Sequence, residues 1–210
     1  MLGNRMITRG QTFTPLQYGY FGGGNSPGAV SSVGRIDFNN DTLTATVRGP
    51  LSLARYGLAA TGTSAFGYFG GASTPAASSL VDRVDYSNDT ATAVAKGPLV
   101  AARGNLAATG TSAFGYFGGG LVSPATSSRV DRVDYSNDTT ALVAKGPLSA
   151  ARSYLAAVAA PSYGYFGGGF PAASSLVDRV DYSNDTATAA AKGPLADARG
   201  NLAGSLHSAF

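Results

Sequence analysis

The stretch "ARGNLAATGTSAFGYFGGGLVSPATSSRVDRVDYSNDTTALVAKGPL" occupies residues 102–148 and carries the strand signals that decide the fold. "NLAATG" (105–110) is a short apolar run of small side chains, and "FGYFGG" (114–119) is aromatic and stops at glycines. "VDRVDYS" (130–136) is β-branched and alternating, and it ends at the turn formers Ser136, Asn137 and Asp138. The fourth signal is plainest one copy earlier, in "TATAVAK" (90–96), a run of Thr, Ala and Val closed by Gly97-Pro98. Strand signals at intervals of roughly 8–12 residues, with turn residues between them, predict all-β structure. No apolar period near 3.6 persists through any segment, and Gly and Pro interrupt every candidate helix.

The pattern recurs. The aromatic–glycine motif starts at Tyr18, Phe66, Phe114 and Tyr163, at spacings of 48, 48 and 49 residues. Asp37, Asp85, Asp134 and Asp181 keep step in "RIDFNND" and three copies of "RVDYSND". So do the pairs Gly49-Pro50, Gly97-Pro98, Gly146-Pro147 and Gly193-Pro194. Four strands in a unit of about 48 residues, repeated, is the arithmetic of a β-propeller blade; a solenoid with longer coils is the alternative. The expected organisation is one repeat domain over 1–210. Its copies lie at about 9–54, 55–102, 103–151 and 152–198, with 199–210 as a closing or donated strand.

Composition narrows the function classes. The 210 residues include 15 Lys and Arg against 12 Asp and Glu, a net charge of +3. No basic tract stands out as a nucleic-acid footprint, so nucleic acid is not an expected partner. The chain has no cysteine, which removes disulfides, thiolate metal sites and thiol nucleophiles together. The opening "MLGNRMITRGQTF" lacks the apolar core of a signal peptide, and no run approaches the roughly 18 apolar residues of a membrane span. A soluble protein without a membrane partner is expected. Its 29 glycines, about twice ordinary usage, suit closely packed strands and frequent turns.

The order of an Arg, an apolar strand, an aromatic strand ending in Gly-Gly, a strand ending in Asp-Tyr and a strand closed by Pro-Leu resembles the kelch repeat. The resemblance runs from about residue 9 to residue 210. It implies a propeller of four-stranded antiparallel blades, four of them here. One departure is the bulky Trp that kelch repeats usually carry in the fourth strand. Ala93-Val94, Leu142-Val143 and Ala189-Ala190 stand near that place, so Tyr68, Phe69 and their equivalents are the expected fillers.

Strand counting leaves a question at the ends. The second to fourth strands occur four times, but there are five candidate first strands, the last in "ARGNLAGSLHSAF" (198–210). Either 199–209 completes the first blade and closes a four-bladed ring, or one terminal strand pairs with another chain. Unpaired edge strands must be closed or covered. Near-identical copies also make exchange between chains easy, so a homo-oligomer formed by strand pairing at the termini is an expected partner state.

The chemical signals each have a structural reading. The glycine triplets lack the following helix and Lys-Ser/Thr pair of a phosphate cradle, and read as bends at strand ends. In "DYSND", Asp85, Ser87 and Asp89 have odd-position oxygen spacing, yet the turn lacks the glycine and distal glutamate of a calcium loop. Hairpin capping explains it. Asn40, Asn88, Asn137 and Asn184 begin Asn-Asp-Thr triplets that also fit the glycosylation acceptor pattern. Arg35, Arg83, Arg132 and Arg179 sit among acidic residues and read as a ladder of ion pairs between blades. Arg55, Arg103, Arg152 and Arg199 resemble a kelch structural position opening the first strand. His207, the single histidine, has no companions for a metal site. No catalytic residue, metal ligand or cofactor is therefore assigned.

Function is expected where the copies diverge, in "NSPGAVSS" (25–32), "STPAASS" (73–79), "LVSPATSS" (121–128) and "FPAASS" (170–175), and after each Gly-Pro. In kelch proteins these two loop sets tend to share a face. The candidate ligand-face residues are Asn25, Ser26, Tyr56, Ser73, Thr74, Leu121, Ser123, Tyr154 and Phe170. Two functions fit: a non-enzymatic structural protein that self-assembles, in a fibre, an extracellular structure or a virion, and a module binding a protein or glycan through the loop face. The monotony of the copies favours the first.

Overall fold

The computed structural model describes residues 17–73 and 76–205. They form an all-β chain of four antiparallel sheets in sequence order, plus a two-stranded hairpin at Leu121–Val122 and Ala125–Thr126. Sheet I comprises Tyr18–Gly22, Val33–Asp37 and Thr46–Arg48. Sheet II comprises Ala59–Gly62, Phe66–Ala72, Ser78–Asp85 and Val94–Ala95. Sheet III has Ala107–Gly110, Phe114–Gly118, Val130–Asp134 and Val143–Lys145. Sheet IV has Ala156–Ala159, Tyr163–Gly167, Val177–Asp181 and Ala190–Lys192. Each is a meander with one register: Tyr20, Tyr68, Tyr116 and Tyr165 stand opposite Arg35, Arg83, Arg132 and Arg179.

The fourth strands are shorter than their sequence signal. "TATAVAK" contributes only Val94–Ala95, because the chain first winds through a 3-10 turn at Tyr86–Asn88. Its backbone then turns to the preceding sheet: the Gly49 amide donates to the Asp89 carbonyl, and the Ala93 amide to the Pro50 carbonyl, both at 2.8 Å. Those residues are committed to a junction between sheets and leave the ladder.

Three apolar clusters each span one junction. Val33 and Leu51 pack with Phe69, Val84 and Ala93 between sheets I and II. Tyr68, Val81 and Leu99 pack with Phe117, Val133 and Leu142 between II and III. Tyr116, Val130 and Leu148 do the same with Phe166, Val180 and Ala189 between III and IV. Every sheet thus has a forward face built on the Tyr–Val–Leu set and a back face built on the Phe. The pairing is fixed by small residues: a Cβ at Gly22, Gly70 or Gly118 would lie 3.0, 2.7 or 2.5 Å from Cε1 of Phe69, Phe117 or Phe166. Glycine is required there because the next sheet's ring occupies the place of a side chain. With tryptophan absent, Tyr68, Phe69 and their equivalents fill the junctions, as the sequence led one to expect.

Sheet I has three described strands, and among the described residues its Tyr18–Gly22 strand pairs with Val33–Asp37 alone. Residues 199–205 lie against sheet IV instead: Arg199 bridges Ser174, the Asn201 amide donates to the Tyr154 carbonyl, and Gly204 abuts Ala157 and Val158. The expected closing strand extends to 209, and residues 206–209 lie outside those described.

Candidate functional site

The two divergent loop sets meet on one face. The Ser73 amide donates to the Tyr56 carbonyl at 2.8 Å, Leu121 and Gly104 exchange a pair of backbone bonds, and Phe170 and Ser153 do the same. Neighbouring units are tied through the residues that open each first strand. The Asn105 amide donates to Gly57, Tyr154 to Asn105 and Asn201 to Tyr154. Asn105, Tyr154 and Asn201 hold φ near +55°, an energetically costly region that this repeated bonding maintains.

The structure places the candidate loop residues unevenly. Asn25 and Ser26 are exposed on a tight turn in the first unit, and Ser123 is exposed on the third. Tyr56, Ser73, Leu121 and Phe170 are half-buried, and Thr74 lies outside the described residues. Tyr154 is exposed and meets Phe170 edge-on, with ring centroids 6.1 Å apart. That pair is the one aromatic grouping among the candidates. His207 also lies outside the described residues, and no group of three or more His, Asp or Glu able to hold a metal occurs among those described.

The glycine triplets have structural partners for their amides. Gly119 and Gly120 donate to the carbonyls of Arg129 and Arg152, and Gly168 and Gly169 repeat this with Leu176 and Arg199. Gly119 has φ of +69°, and a Cβ there would sit 2.6 Å from the Arg152 carbonyl oxygen. Both the turn and the close approach require glycine.

The carbonyls of the aromatic–glycine stretches themselves help to hold a buried arginine. Arg55, wholly inaccessible, donates from Nε to Gly71, from Nη2 to Phe69 and from Nη1 to Asp82 at 2.7 Å. Arg103 with Asp131 and Arg152 with Asp178 repeat the staple within sheets III and IV. Desolvating such a pair is offset only by complete hydrogen bonding. Ser52 and Ser149 complete it by donating to the second carboxylate oxygen of Asp82 and Asp178. In sheet III the equivalent residue is Val100, and Asp131 Oδ1 is left buried without a partner.

The "DYSND" carboxylates do not converge on a cation. Asp85, Asp134 and Asp181 accept from Ser87, Ser136 and Ser183, hydroxyl and amide together, which lowers each carboxyl below its ordinary range. Asp89, Asp138 and Asp185 point the other way, into the junction with the preceding sheet. Asp138 takes the Tyr68 hydroxyl at 2.8 Å, Arg83 at 2.7 Å and Lys96 at 3.2 Å. Asp185 takes Tyr116, Arg132 and Lys145, and Asp89 takes Tyr20, Arg35 and Arg48. The expected ladder of ion pairs between repeats is present for Arg35, Arg83 and Arg132, each of which pairs with the unit that follows its own. Burial pulls the Asp138 and Asp185 carboxyls upward; the Tyr, Lys and Arg donors outweigh it and hold both below the usual range. Burial and then the Asp89 carboxylate push the Tyr20 hydroxyl up to about 12.

The two end faces carry the unpaired halves of this node. On sheet IV, Arg179 stays over the Tyr163 ring at 4.2 Å, as Arg83 and Arg132 do over Phe66 and Phe114. It has no carboxylate among the described residues, and neither has Lys192. Beside them, Tyr165, Gly167, Val177 and Leu195 line an apolar hollow of about 130 Å³. On sheet I, Asp41 is exposed, and Phe21 is 65 % exposed where Phe69 is 3 %. Sequence reasoning singled out none of these end residues as a site. The signal was available in the repeat count, since four forward sets and four back sets make three junctions and leave one of each.

No helix among the described residues is long and apolar enough to cross a membrane. No protein-family model matches the chain, and no curated protein matches its sequence.

Proposed function

We propose that the chain is a structural, non-enzymatic protein built of kelch-like propeller blades, which assembles with itself as part of a larger extracellular or virion structure. The observation that carries this reading is the single junction used three times and left half-built at sheet IV. There the apolar hollow and the basic pair stand ready in the geometry of the internal copies. On this reading each sheet is a blade and the Ala-rich first strands lie innermost. Residues 199–205 begin the next innermost strand, whether that strand belongs to a closed four-bladed ring or to a row continued by another chain. The buried charges support a structural role, since Arg55, Arg103 and Arg152 are spent on holding strands together.

Mass measurement in solution with electron micrographs of the same sample tests the proposal. Rods, rings or oligomers of regular spacing are expected; a monomer at every concentration would overturn it. The exposed Tyr154–Phe170 pair favours a second reading, a shallow protein or glycan contact on the loop face. A glycan array that loses its hits on Tyr154→Ala would support that alternative.

A further inference from the structure

We propose that the forward face of sheet IV is the docking site for the back face of sheet I of a second copy of this chain, in a head-to-tail contact that reproduces the internal junctions. This rests on the assembly reading above and names its surfaces.

The internal junctions specify what an occupant must bring. Each takes an aromatic ring over the strand glycine, a carboxylate for the Tyr–Arg–Lys/Arg set, and a carbonyl for the amide of the Gly-Pro pair. Sheet IV offers the receiving half. A Cβ on Gly167 would meet only Val177 and Leu195, at 3.6 and 3.9 Å, where Gly118 meets the Phe166 ring at 2.5 Å. No described residue lies within 4 Å of a Cβ on Gly193, whereas those on Gly49, Gly97 and Gly146 would strike carbonyls of the next unit. Val177 and Leu195 are half-buried, and their equivalents Val130 and Leu148 are buried.

Sheet I offers the inserting half in the same register. Phe21 is the equivalent of Phe166, and Asp41 of Asp185, each exposed. Seating Phe21 over Gly167 would cover the hollow. It would also bring Asp41 to the Tyr165 hydroxyl, Arg179 and Lys192, joining a carboxylate to two cations that have no carboxylate partner among the described residues. The contact is heterologous, so it propagates into a row or closes into a ring of copies.

Charge reversal tests this, because the two halves can be swapped independently. One variant is Asp41→Arg; the other combines Arg179→Asp with Lys192→Asp. Wild type should gain mass with concentration in sedimentation velocity, from 21.1 kDa upward. Each variant alone places like charges at the contact and should associate on the order of a hundredfold more weakly. An equimolar mixture restores opposite charges at both contacts and should associate again. Unchanged thermal melts of dilute samples show that the variants fold. If wild type associates and both variants still do, the docking surfaces are wrong while the assembly reading stands. If wild type stays at 21.1 kDa throughout, both fail.

Discussion

The junction between sheets II and III and the outer face of sheet IV are made from the same residue types in the same register, yet they end in different states. In the junction, Tyr68 is fully buried, Asp138 pairs with two cations, and a phenylalanine from the next sheet stands over Gly70. On the outer face, Tyr165 is half-exposed, Arg179 and Lys192 face no described carboxylate, and Gly167 opens into a hollow. The difference lies wholly in whether a following unit is present. Identical side chains therefore carry large energies in one place and little in the other, which substitutions at equivalent positions can measure.

The largest contrast is expected at the staple arginines. Arg103→Met strands the Asp131 carboxylate in the interior and should cost about 3–5 kcal/mol. Arg199→Met, at the equivalent but exposed position, should stay within about 0.5 kcal/mol. Urea unfolding of the two variants measures both, and equal losses would mean that the end and the interior are not distinguished by burial.

The Gly-Pro glycines give the next contrast. A Cβ at Gly97 overlaps the Thr140 carbonyl, a backbone atom that cannot step aside, so Gly97→Ala should cost about 3 kcal/mol. Gly193→Ala meets no described residue and should be near neutral in dilute solution. Comparable melting temperatures for the two would break the comparison.

Acid should open the junctions selectively. Asp138 and Asp185 have carboxyls held below their unfolded value, so their contribution is complete above that value, about 3.9, and is lost as pH falls through the folded one. Melting temperature should fall as pH drops from about 5 toward 2. Asp138→Asn should lower stability at neutral pH and flatten that slope. Asp41→Asn should alter neither in dilute solution, its carboxylate being exposed.

The smallest effect expected is a gain. Val100 occupies the place of Ser52 and Ser149, and Asp131 Oδ1 lacks the hydroxyl that its equivalents receive. Val100→Ser should stabilise by about 1 kcal/mol, since Val100 is 45 % exposed and little apolar burial is forfeited. A loss on that substitution would show that the serines at Ser52 and Ser149 are incidental.

Much of this is legible in the sequence. The strand order and the all-β class followed from register alone, because a pattern repeated four times separates architecture from variation; the meeting of the two loop sets was what the kelch resemblance implied. The capping role of Asp85 and its equivalents was also legible, being local. The partners of Asp89, Asp138 and Asp185 were not, since each lies more than forty residues from its tyrosine and arginine donors. Asp82 and Asp85 flank Arg83 in sequence, but strand alternation sends Asp82 and Arg83 to opposite faces. Arg83 therefore reaches the next sheet, while Asp82 turns to Arg55. The shortened fourth strand was equally hidden, because the junction hydrogen bonds that draw its backbone away come from another unit.

Residue-resolved hydrogen exchange, at low and high protein concentration, tests the central claim most directly. In the internal junctions the amides of Gly97 and Leu142 donate across to Asp138 and Pro98. Their counterparts at the ends are Gly193 and Ala45. The result expected is fast exchange at Gly193 and Ala45 in dilute solution, with protection rising toward that of Gly97 and Leu142 as mass increases. Exchange at those two amides that is unaffected while the protein associates, or protection already complete in the dilute monomer, would contradict it.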